Sequence, residues 1–387
     1  MRALLSFAGG SGHALPMMPI ARALAGRGHE VLFTGQPAML DQIRGAGFDA
    51  VDSGGSTLAA ATDRRVLVRA DRDAEVRVIR ESFAGGIARE RAPKVLGVGE
   101  DFDADIIIHD EIDFGAAVAA ERLGVPHASV VVLAAGGMIT PGLLDEPLNR
   151  LCAELGVSAR PDLLDRFLTL APVMPSFRDP RSPFPPSTLA IRPDVLADHQ
   201  EREDPAVDRV EAFLAAQPDR PLVYLTLGTV FHQESGDLFT RVLTGLERMA
   251  ANVVVTVGRE LDPAELGVRN ERVLVERFVA HRAVLPRAAL VVSHAGSGTV
   301  VSALACGVPL MLLPLGADQP WNADRCVALG VGRMLDALTV SPGEAAAAAE
   351  DVLRNATYRA AARVLSTEAE ALPRADAAVG AIEQLVS

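Results

Sequence analysis

Residues 291–299 read VVSHAGSGT, a pair of valines that leads into a turn of small residues. Valine favours strands, and the small residues after position 294 are typical of a turn that opens a helix. The same order of strand, turn and helix recurs on both sides, with strand-like runs at 222–227, 252–257 and 310–313. This alternation predicts βαβ units and a parallel sheet.

The first half of the chain shows the same alternation. Its strand-like runs lie at 3–7, 30–34, 106–109 and 127–132. We therefore predict an α/β protein of two Rossmann-like domains that face each other across a cleft.

A proline-dense stretch between positions 171 and 221 separates the two halves, and such a stretch is typical of a linker and edge segment. The Ala-rich tail at 341–386 predicts helices, which we expect to pack on the second domain. The expected boundaries are 1–185 for the first domain, 186–220 for the linker and 221–387 for the second domain.

The composition is that of an acidic globular protein. The 387 residues are 49% apolar, and the net charge is −13 with a pI near 5.1. This charge would repel a phosphate backbone and no basic run offsets it, so we exclude a nucleic-acid binder. Three widely spaced cysteines, no signal-peptide pattern and no apolar run of roughly 18 to 20 residues predict a cytoplasmic protein without a membrane span.

The turn at 294–299 carries groups that bind anions. Backbone N–H groups at a helix start have no partner within the helix, and they favour a diphosphate. Glycines let the backbone come close to such a ligand, and imidazole and hydroxyl groups add hydrogen bonds. The candidate residues are His294, Gly296, Ser297, Gly298 and Thr299. The turn lacks the lysine of a Walker loop, and a βα turn without a ligand is the alternative interpretation.

A second small-residue turn, GGSGH at 9–13, follows the first strand-like run and precedes a helix expected to open at position 16. A dinucleotide-binding fingerprint needs a glycine where Leu15 stands and an acidic residue where Thr34 stands, so NAD and FAD are disfavoured. His13 would lie at the carboxyl end of a strand, where open α/β sheets bind ligands. Asp110, at the end of another strand, can orient the imidazole and stabilise its protonated form. The pair predicts a general base, and a histidine that only caps the turn is the alternative.

Three polar residues near other strand ends have open roles. Glu111 would point to the other side of its strand from Asp110, or would cap the helix near Phe114. Asp318 and Gln319 lie between a strand and a helix, where a carboxylate and an amide can bind vicinal hydroxyls of a sugar. A helix N-cap is the alternative for that pair.

In this order and spacing, the motifs resemble the nucleotide-sugar-dependent glycosyltransferases of the GT-B fold, and among them the bacterial natural-product enzymes. The resemblance covers nearly the whole chain and is strongest from Arg277 to Gly332. The matching segments are 12–13, 28–31, 278–285, 294–299, 307–309 and 318–323.

The resemblance implies a role for each motif. His13 would deprotonate the acceptor hydroxyl with Asp110 in support, in an inverting displacement that needs no metal. The turn at 294–299 would hold the donor diphosphate, and Asp318 with Gln319 would bind the sugar. The remaining implied contacts are Gly12 beside the base, Phe278 and Val279 flanking the nucleobase, and Gly228 and Thr229 in a second donor-facing turn. Asp-x-Asp spacings at 71–73 and 101–103 are interpreted as solvated loop charges.

One departure bears on the donor. Plant relatives, and some bacterial relatives that use uridine donors, carry a glutamate eight residues after the motif histidine to bind ribose hydroxyls, and Ser302 stands there. We expect dTDP-sugars to be preferred over UDP-sugars, with no further cofactor. The expected partners are the nucleotide-sugar and a small natural-product aglycone, and a homodimer is left open. Two alternatives are a nucleotide-sugar epimerase and a catalytically silent partner of another glycosyltransferase.

Overall fold

The computed structural model describes residues 1–55, 67–194, 205–228, 235–258, 262–267 and 270–387. These residues form two compact units, each built on a parallel β-sheet covered by helices. Of the described residues, unit 1 holds 1–55, 73–194 and 371–387, and unit 2 holds 67–72 and those from 205 to 370. The predicted α/β class with two parallel sheets is confirmed.

The sheet of unit 1 reverses its strand order near its centre. Its strands are β1 (Arg2–Ser6), β2 (Glu30–Gly35), β3 (Asp49–Asp52), β4 (Ile106–Asp110), β5 (His127–Val130), β6 (Leu168–Ala171) and β7 (Thr188–Ala190). They pair in parallel in the order β3-β2-β1-β4-β5-β6-β7, so the chain moves outward from β1 and then returns to place β4 beside it. Ligands of open parallel sheets bind at such a reversal, outside the carboxyl ends of the strands.

Helices cover both faces of this sheet. They are α1 (Ser11–Ala14), α2 (Met18–Gly26), α3 (Pro37–Gly45), α4 (Arg72–Arg77), α5 (Ala88–Phe102), α6 (Phe114–Leu123) and α7 (Asp145–Glu154), and a π-helical stretch, Val78–Ile87, joins α4 to α5. Neighbouring strand residues point to opposite faces, and here both faces are buried: Leu5 packs with α2 and α3, and Leu4 with α5 and α6. This double burial explains the continuous apolar runs that made the central strands visible in the sequence.

Unit 2 repeats the same plan. Its strands are β8 (Leu222–Thr226), β9 (Asn252–Thr256), β10 (Val273–Glu276), β11 (Ala288–Ser293), β12 (Leu310–Leu312) and β13 (Gly332–Met334), in the parallel order β10-β9-β8-β11-β12-β13. The reversal lies between β8 and β11. The helices that follow β7 in the chain are α8 (Pro205–Ala215), α9 (Leu238–Leu246), α10 (His281–Val284), α11 (Ser297–Ala305), α12 (Gln319–Ala328), α13 (Pro342–Arg354), α14 (Ala356–Ala371) and α15 (Ala375–Val386).

The last helix does not pack where the sequence suggested. We expected the whole Ala-rich tail on the second domain, but α15 belongs to unit 1, where Val379 and Ile382 are buried in the core beside α2. Glu383 forms an ion pair of 2.9 Å with Arg27 and a hydrogen bond of 2.9 Å with Nε2 of His29, and both partners lie just after α2. The apolar face of α2 needs a cover, and α15 supplies it.

The stretch 186–220, predicted to be a linker, contains ordered elements at both ends. β7 forms an edge of the sheet in unit 1, and α8 belongs to unit 2 and begins at Pro205. Proline is tolerated on edge strands and in the first turn of a helix, so its density is compatible with both elements. None of the described helices is long and apolar enough to cross a membrane.

Candidate functional site

The first polar cluster lies at the strand reversal of unit 1. Helix α1 begins at Ser11, five residues earlier than expected, and therefore includes His13. Nδ1 of His13 lies 3.4 Å from Oδ1 of Asp110 at the end of β4, and the two side chains are 22% and 0% exposed. This distance is longer than a hydrogen bond of about 2.9 Å, as is common for catalytic pairs before substrate binds. The structure thus brings together the two residues predicted to form a base and its support.

The carboxylate of Asp110 is held by the backbone as well as by His13. Its Oδ2 accepts a hydrogen bond from the Ala8 N–H at 2.6 Å, and its Oδ1 accepts one from the Ile112 N–H at 2.8 Å. Burial pushes the pKa of Asp110 upward, but the charge of His13 and these hydrogen bonds outweigh it, and the pKa lies below its usual value. Asp110 is therefore ionised at neutral pH and can stabilise an imidazolium.

The glycine that His13 requires is Gly9. A Cβ atom at Gly9 would lie 2.1 Å from Cδ2 of His13, whereas a Cβ atom at Gly12 would meet open space. Gly9 therefore makes the space that the imidazole of His13 occupies. Gly12, the glycine that was predicted from the sequence, does not contact the ring and leaves open space beside it.

Glu111 does not cap the helix that begins at Phe114. Its Oε2 accepts hydrogen bonds from the Val132 and Leu133 N–H groups at 3.1 and 2.9 Å, and its Oε1 lies 3.7 Å from Nη2 of Arg178. Burial raises the pKa of Glu111, and Arg178 offsets only part of that effect. Glu111 holds the backbone after β5, which leaves Asp110 as the partner of His13.

The second cluster lies at the strand reversal of unit 2. His294 follows β11, and a Cβ atom added at Gly228 or Gly296 would lie 2.6 or 2.5 Å from its Nε2. The two glycine turns thus enclose the imidazole ring. Burial lowers the pKa of His294 to about 4, so the ring is neutral at pH 7 and can donate only one hydrogen bond. Thr229, predicted beside Gly228, lies outside the described residues.

Helix α11 begins at Ser297 with Gly296 as its N-cap. The first N–H groups of a helix have no partner inside it, and they carry the positive end of the helix dipole. Gly298 leaves open space where a side chain would stand, and Thr299 is buried in the first turn. The start of a helix with these features suits an anionic group, and its use for a diphosphate stays a prediction.

Ser297 and Asp318 form a hydrogen bond with each other, although they were predicted to contact different parts of a donor. Oγ of Ser297 donates to Oδ2 of Asp318 at 2.5 Å. Nδ2 of the fully buried Asn322 donates to the same oxygen at 2.7 Å and to the Ala295 carbonyl at 3.0 Å. Ala295 has a φ of 72°, a conformation that costs a non-glycine residue free energy. Asn322 therefore fastens the turn before α11 to the start of α12.

Sequence reasoning quoted Asn322 within a motif but gave it no role. The available signal was its position four residues after Asp318, which places the two side chains on the same face of a helix. Gln319 is also partly committed: its Oε1 accepts from the Leu315 and Gly316 N–H groups at 2.7 and 3.1 Å. Gln319 is 1% exposed, so the structure shows its side-chain oxygen supporting the backbone of this turn.

The predicted nucleobase contacts differ from each other. Phe278, after β10, is 45% exposed and offers a ring face, whereas Val279 is 1% exposed and lies in the core. Val279 can therefore contribute its backbone but not its side chain. Ser302, one turn further along α11 than Gly298, is buried.

The described residues contain no group of three or more His, Cys, Asp or Glu side chains placed to hold a metal ion. The four carboxylates of the two Asp-x-Asp spacings are exposed, as expected, although Asp73 and Asp101 lie in helices α4 and α5 and not in loops. Nη2 of Arg72 donates to Asp324 at 2.6 Å, and its guanidinium lies over the ring of Trp321. Asp103 forms an ion pair with Arg2.

Comparisons with known proteins agree with this geometry. Residues 240–385 match the family described as "Erythromycin biosynthesis protein CIII-like, C-terminal domain". The chain is 28% identical to 4'-demethylrebeccamycin synthase of Lentzea aerocolonigenes, over 100% of this chain and 99% of that protein. It is 28% identical to the oleandomycin glycosyltransferase of Streptomyces antibioticus, over 84% of this chain and 76% of that protein.

Solved structures show the same architecture. The glycosyltransferase SnogD from Streptomyces nogalater matches with a TM-score of 0.79 at 23% identity, over all of both chains. The glycosyltransferase VinC, solved in complex with DTDP, matches with a TM-score of 0.76 at 25% identity, over 100% of this chain and 99% of that chain.

Two parallel sheets with polar clusters at their reversals, together with these likenesses, define the chain as a glycosyltransferase of the GT-B fold. Within that class, the chain is similar over most of its length to bacterial natural-product glycosyltransferases, and residues 240–385 match the erythromycin CIII-like C-terminal domain. The family inferred from the sequence motifs is confirmed.

Proposed function

We propose that this enzyme transfers a sugar from a nucleoside diphosphate to a hydroxyl of a small natural-product aglycone, with inversion at the anomeric carbon. The observation that carries the proposal is the pair formed by partly exposed His13 and buried, ionised Asp110 at the strand reversal of unit 1. An ionised carboxylate beside an imidazole makes it a better base, because it stabilises the imidazolium.

The proposed reaction is a single displacement. His13 takes the proton of the acceptor hydroxyl as its oxygen forms a bond to the anomeric carbon, and the bond from that carbon to the diphosphate oxygen breaks. The electron pair of the broken bond leaves on the diphosphate. The start of α11 and the neutral His294 would stabilise that charge through N–H groups.

The proposed donor is a dTDP-sugar. Ser302 is a short neutral residue. A carboxylate in its place would accept a hydrogen bond from the ribose 2′-hydroxyl of a uridine donor, and thymidine donors lack that hydroxyl. The relative named TDP-daunosamine transferase DnrS, 26% identical over 100% of this chain, uses a TDP-sugar by its name. The names of other relatives refer to rebeccamycin and oleandomycin, which supports an antibiotic-type aglycone.

The test is a transfer assay with a panel of dTDP- and UDP-sugars and candidate aglycones, followed by mass spectrometry. We expect an aglycone product heavier by one sugar, with an anomeric configuration opposite to that of the donor by NMR. A product of unchanged configuration would overturn inversion. Conversion of the donor without any aglycone would instead identify an epimerase, the alternative function.

A further inference from the structure

A fully buried ion pair lies beneath the His13–Asp110 pair. It joins Arg91 of α5 to Asp113, the residue before α6, and both side chains are 0% exposed. The contact is bidentate: Nε of Arg91 donates to Oδ1 of Asp113 at 3.2 Å, and Nη2 donates to Oδ2 at 2.8 Å. Arg91 is the largest fully buried side chain among the described residues.

The same guanidinium reaches two further segments of unit 1. Nη2 donates to Oγ of Ser6, the last residue of β1, at 2.9 Å, and Nη1 donates to the Gly54 carbonyl after β3, also at 2.9 Å. Oγ of Ser6 in turn donates to Oδ2 of Asp113 at 2.6 Å. Arg91 therefore fastens together the ends of β1 and β3 and the start of α6.

Two of these segments carry the proposed base and its support. Ser6 lies two residues before Ala8, whose N–H donates to Asp110, and His13 follows on the same turn. The N–H of Asp113 donates to the carbonyl of Asp110 at 3.0 Å. Any change in the Arg91–Asp113–Ser6 contacts would be transmitted through these hydrogen bonds to the distance between His13 and Asp110.

Stability alone does not account for this pair. Removing two charges from water costs solvation free energy, and a buried ion pair can often be replaced by well-packed apolar residues without loss of stability. A charged pair that binds three backbone segments at once fixes their relative positions more tightly than apolar packing, because each hydrogen bond has a narrow range of length and angle.

We propose that Arg91, with Asp113, is a positioning residue for catalysis: it sets the separation of His13 and Asp110 without touching substrate. This inference rests on the proposed function. It predicts that the chemical step depends on the charged pair even where the fold does not.

The test compares the double variant Arg91→Met/Asp113→Leu with the wild type. We expect it to fold and to bind dTDP, which is assigned to unit 2, with unchanged affinity. Its kcat should fall about 10- to 100-fold, since small misplacements of reacting groups cost that much, while the KM for the donor changes little. The acid limb of the kcat–pH profile should move to lower pH, because a more distant Asp110 stabilises the imidazolium less.

The matched control is Arg89→Met. Arg89 lies on the same helix and makes a bidentate pair with Glu154 at 2.9 and 2.7 Å, but both side chains are on the surface. We expect wild-type kcat and pH profile for this variant. A double variant with the same wild-type behaviour would overturn the proposal and leave Arg91 as an ordinary core ion pair.

A second variant keeps the inference testable if the apolar pair does not fold. Arg91→Lys retains the charge but cannot reproduce the four hydrogen bonds to Asp113, Ser6 and Gly54, because an ammonium has three donors on one nitrogen and lacks the planar fork. We expect a fall in kcat of about tenfold or more, with unchanged dTDP affinity, and wild-type kcat would contradict the role. Failure of the proposed function is distinguishable, since the wild type itself would then show no transfer.

Discussion

The proposed base and its supporting carboxylate differ in exposure, since His13 is partly exposed and Asp110 is buried. The imidazole is accessible to an acceptor, and the carboxylate is kept ionised by His13 and by the N–H groups of Ala8 and Ile112. The sequence could suggest this pair because both residues follow strand-like runs whose carboxyl ends meet in a parallel sheet. It could not reveal Arg91 or the use of Gln319 by the backbone, because burial and hydrogen bonding of polar groups depend on distant segments.

Replacement of the base separates chemistry from donor binding. His13→Ala should lower kcat by roughly two to four orders of magnitude, because it removes the group that takes the acceptor proton. The affinity for dTDP should stay unchanged, since the diphosphate is assigned to unit 2. Steady-state kinetics and calorimetric titration measure the two quantities, and turnover within a few-fold of wild type would remove His13 from the mechanism.

Asp110→Asn serves as the companion variant. We expect a smaller loss of kcat, because the side chain keeps its shape but loses its charge. An amide has one acceptor oxygen, so either the Ala8 or the Ile112 N–H would lose its partner, at a cost of about 1 to 3 kcal/mol in stability. Full activity of both Asp110→Asn and Asp110→Ala would show that no such pair operates.

The donor preference depends on Ser302. We expect dTDP to bind the wild type about tenfold more tightly than UDP, equivalent to about 1.4 kcal/mol, and Ser302→Glu to reduce or reverse that difference. The reason is that a glutamate would accept from the ribose 2′-hydroxyl of UDP and would be left without that partner by dTDP. Calorimetric titration of both nucleotides checks it. Tighter binding of UDP by the wild type would show that the ribose is recognised elsewhere.

His294 makes the stability of unit 2 depend on pH. Its pKa is lowered from 6.5 to about 4 in the folded state, so the unfolded chain binds the proton first as the pH falls. The contribution of His294 to the free energy of unfolding is fully present above pH 6.5. It decreases by about 3 kcal/mol as the pH falls from 6.5 through 4. Urea unfolding at pH 7 and pH 4.5, followed by the fluorescence of Trp321, should show the loss.

The matched variant for that measurement is His294→Gln, which has no titrating ring. Trp321 is the only tryptophan of the chain and lies on α12, so its fluorescence reports unit 2. We expect a smaller difference between the two pH values in the variant. An equal difference would assign the pH dependence to other groups.

At the scale of elements, the diphosphate site proposed at the start of α11 would need no cation. Its first N–H groups and the neutral His294 would supply hydrogen bonds where charge develops. Transfer should therefore persist in excess EDTA, at a rate within about twofold of the untreated enzyme, as measured by product formation. Activity lost in EDTA and restored only by Mg²⁺ or Mn²⁺ would contradict this assignment.

The elements that sequence reasoning found and missed differ in burial. β1, β4, β8 and β11 stand at the centre of their sheets, and their apolar runs are continuous because both faces are covered. Most of the strands that were missed are the sheet edges β3, β7, β10 and β13, of three or four residues each. β3 reads DAVD and β13 reads GRM, and such short polar segments become strands only when a neighbour offers hydrogen bonds.

At the scale of the whole molecule, unit 1 consists of segments that are far apart in the chain, because α15 packs on it. Ile382→Ala should destabilise unit 1 by about 2 to 5 kcal/mol, because the isoleucine is buried in the core beside α2. Urea unfolding followed by far-UV circular dichroism should show an earlier first transition, while the fluorescence of Trp321 in unit 2 keeps its midpoint. Gln384→Ala, an exposed position on the same helix, is the control and should change neither. An earlier Trp321 transition in Ile382→Ala would place α15 on unit 2 instead.

Because α15 packs on unit 1, the fold of unit 1 can be completed only after unit 2 has been synthesised. The ribosome makes about 180 residues between the last strand of unit 1 and α15, which takes on the order of ten to forty seconds at bacterial speeds. During that interval the part of α2 that packs against α15 has no cover from its own chain. The domain that is translated first is therefore the one completed last, and a nascent chain of this enzyme presents the hydrophobic surface that chaperones bind until unit 2 has left the ribosome.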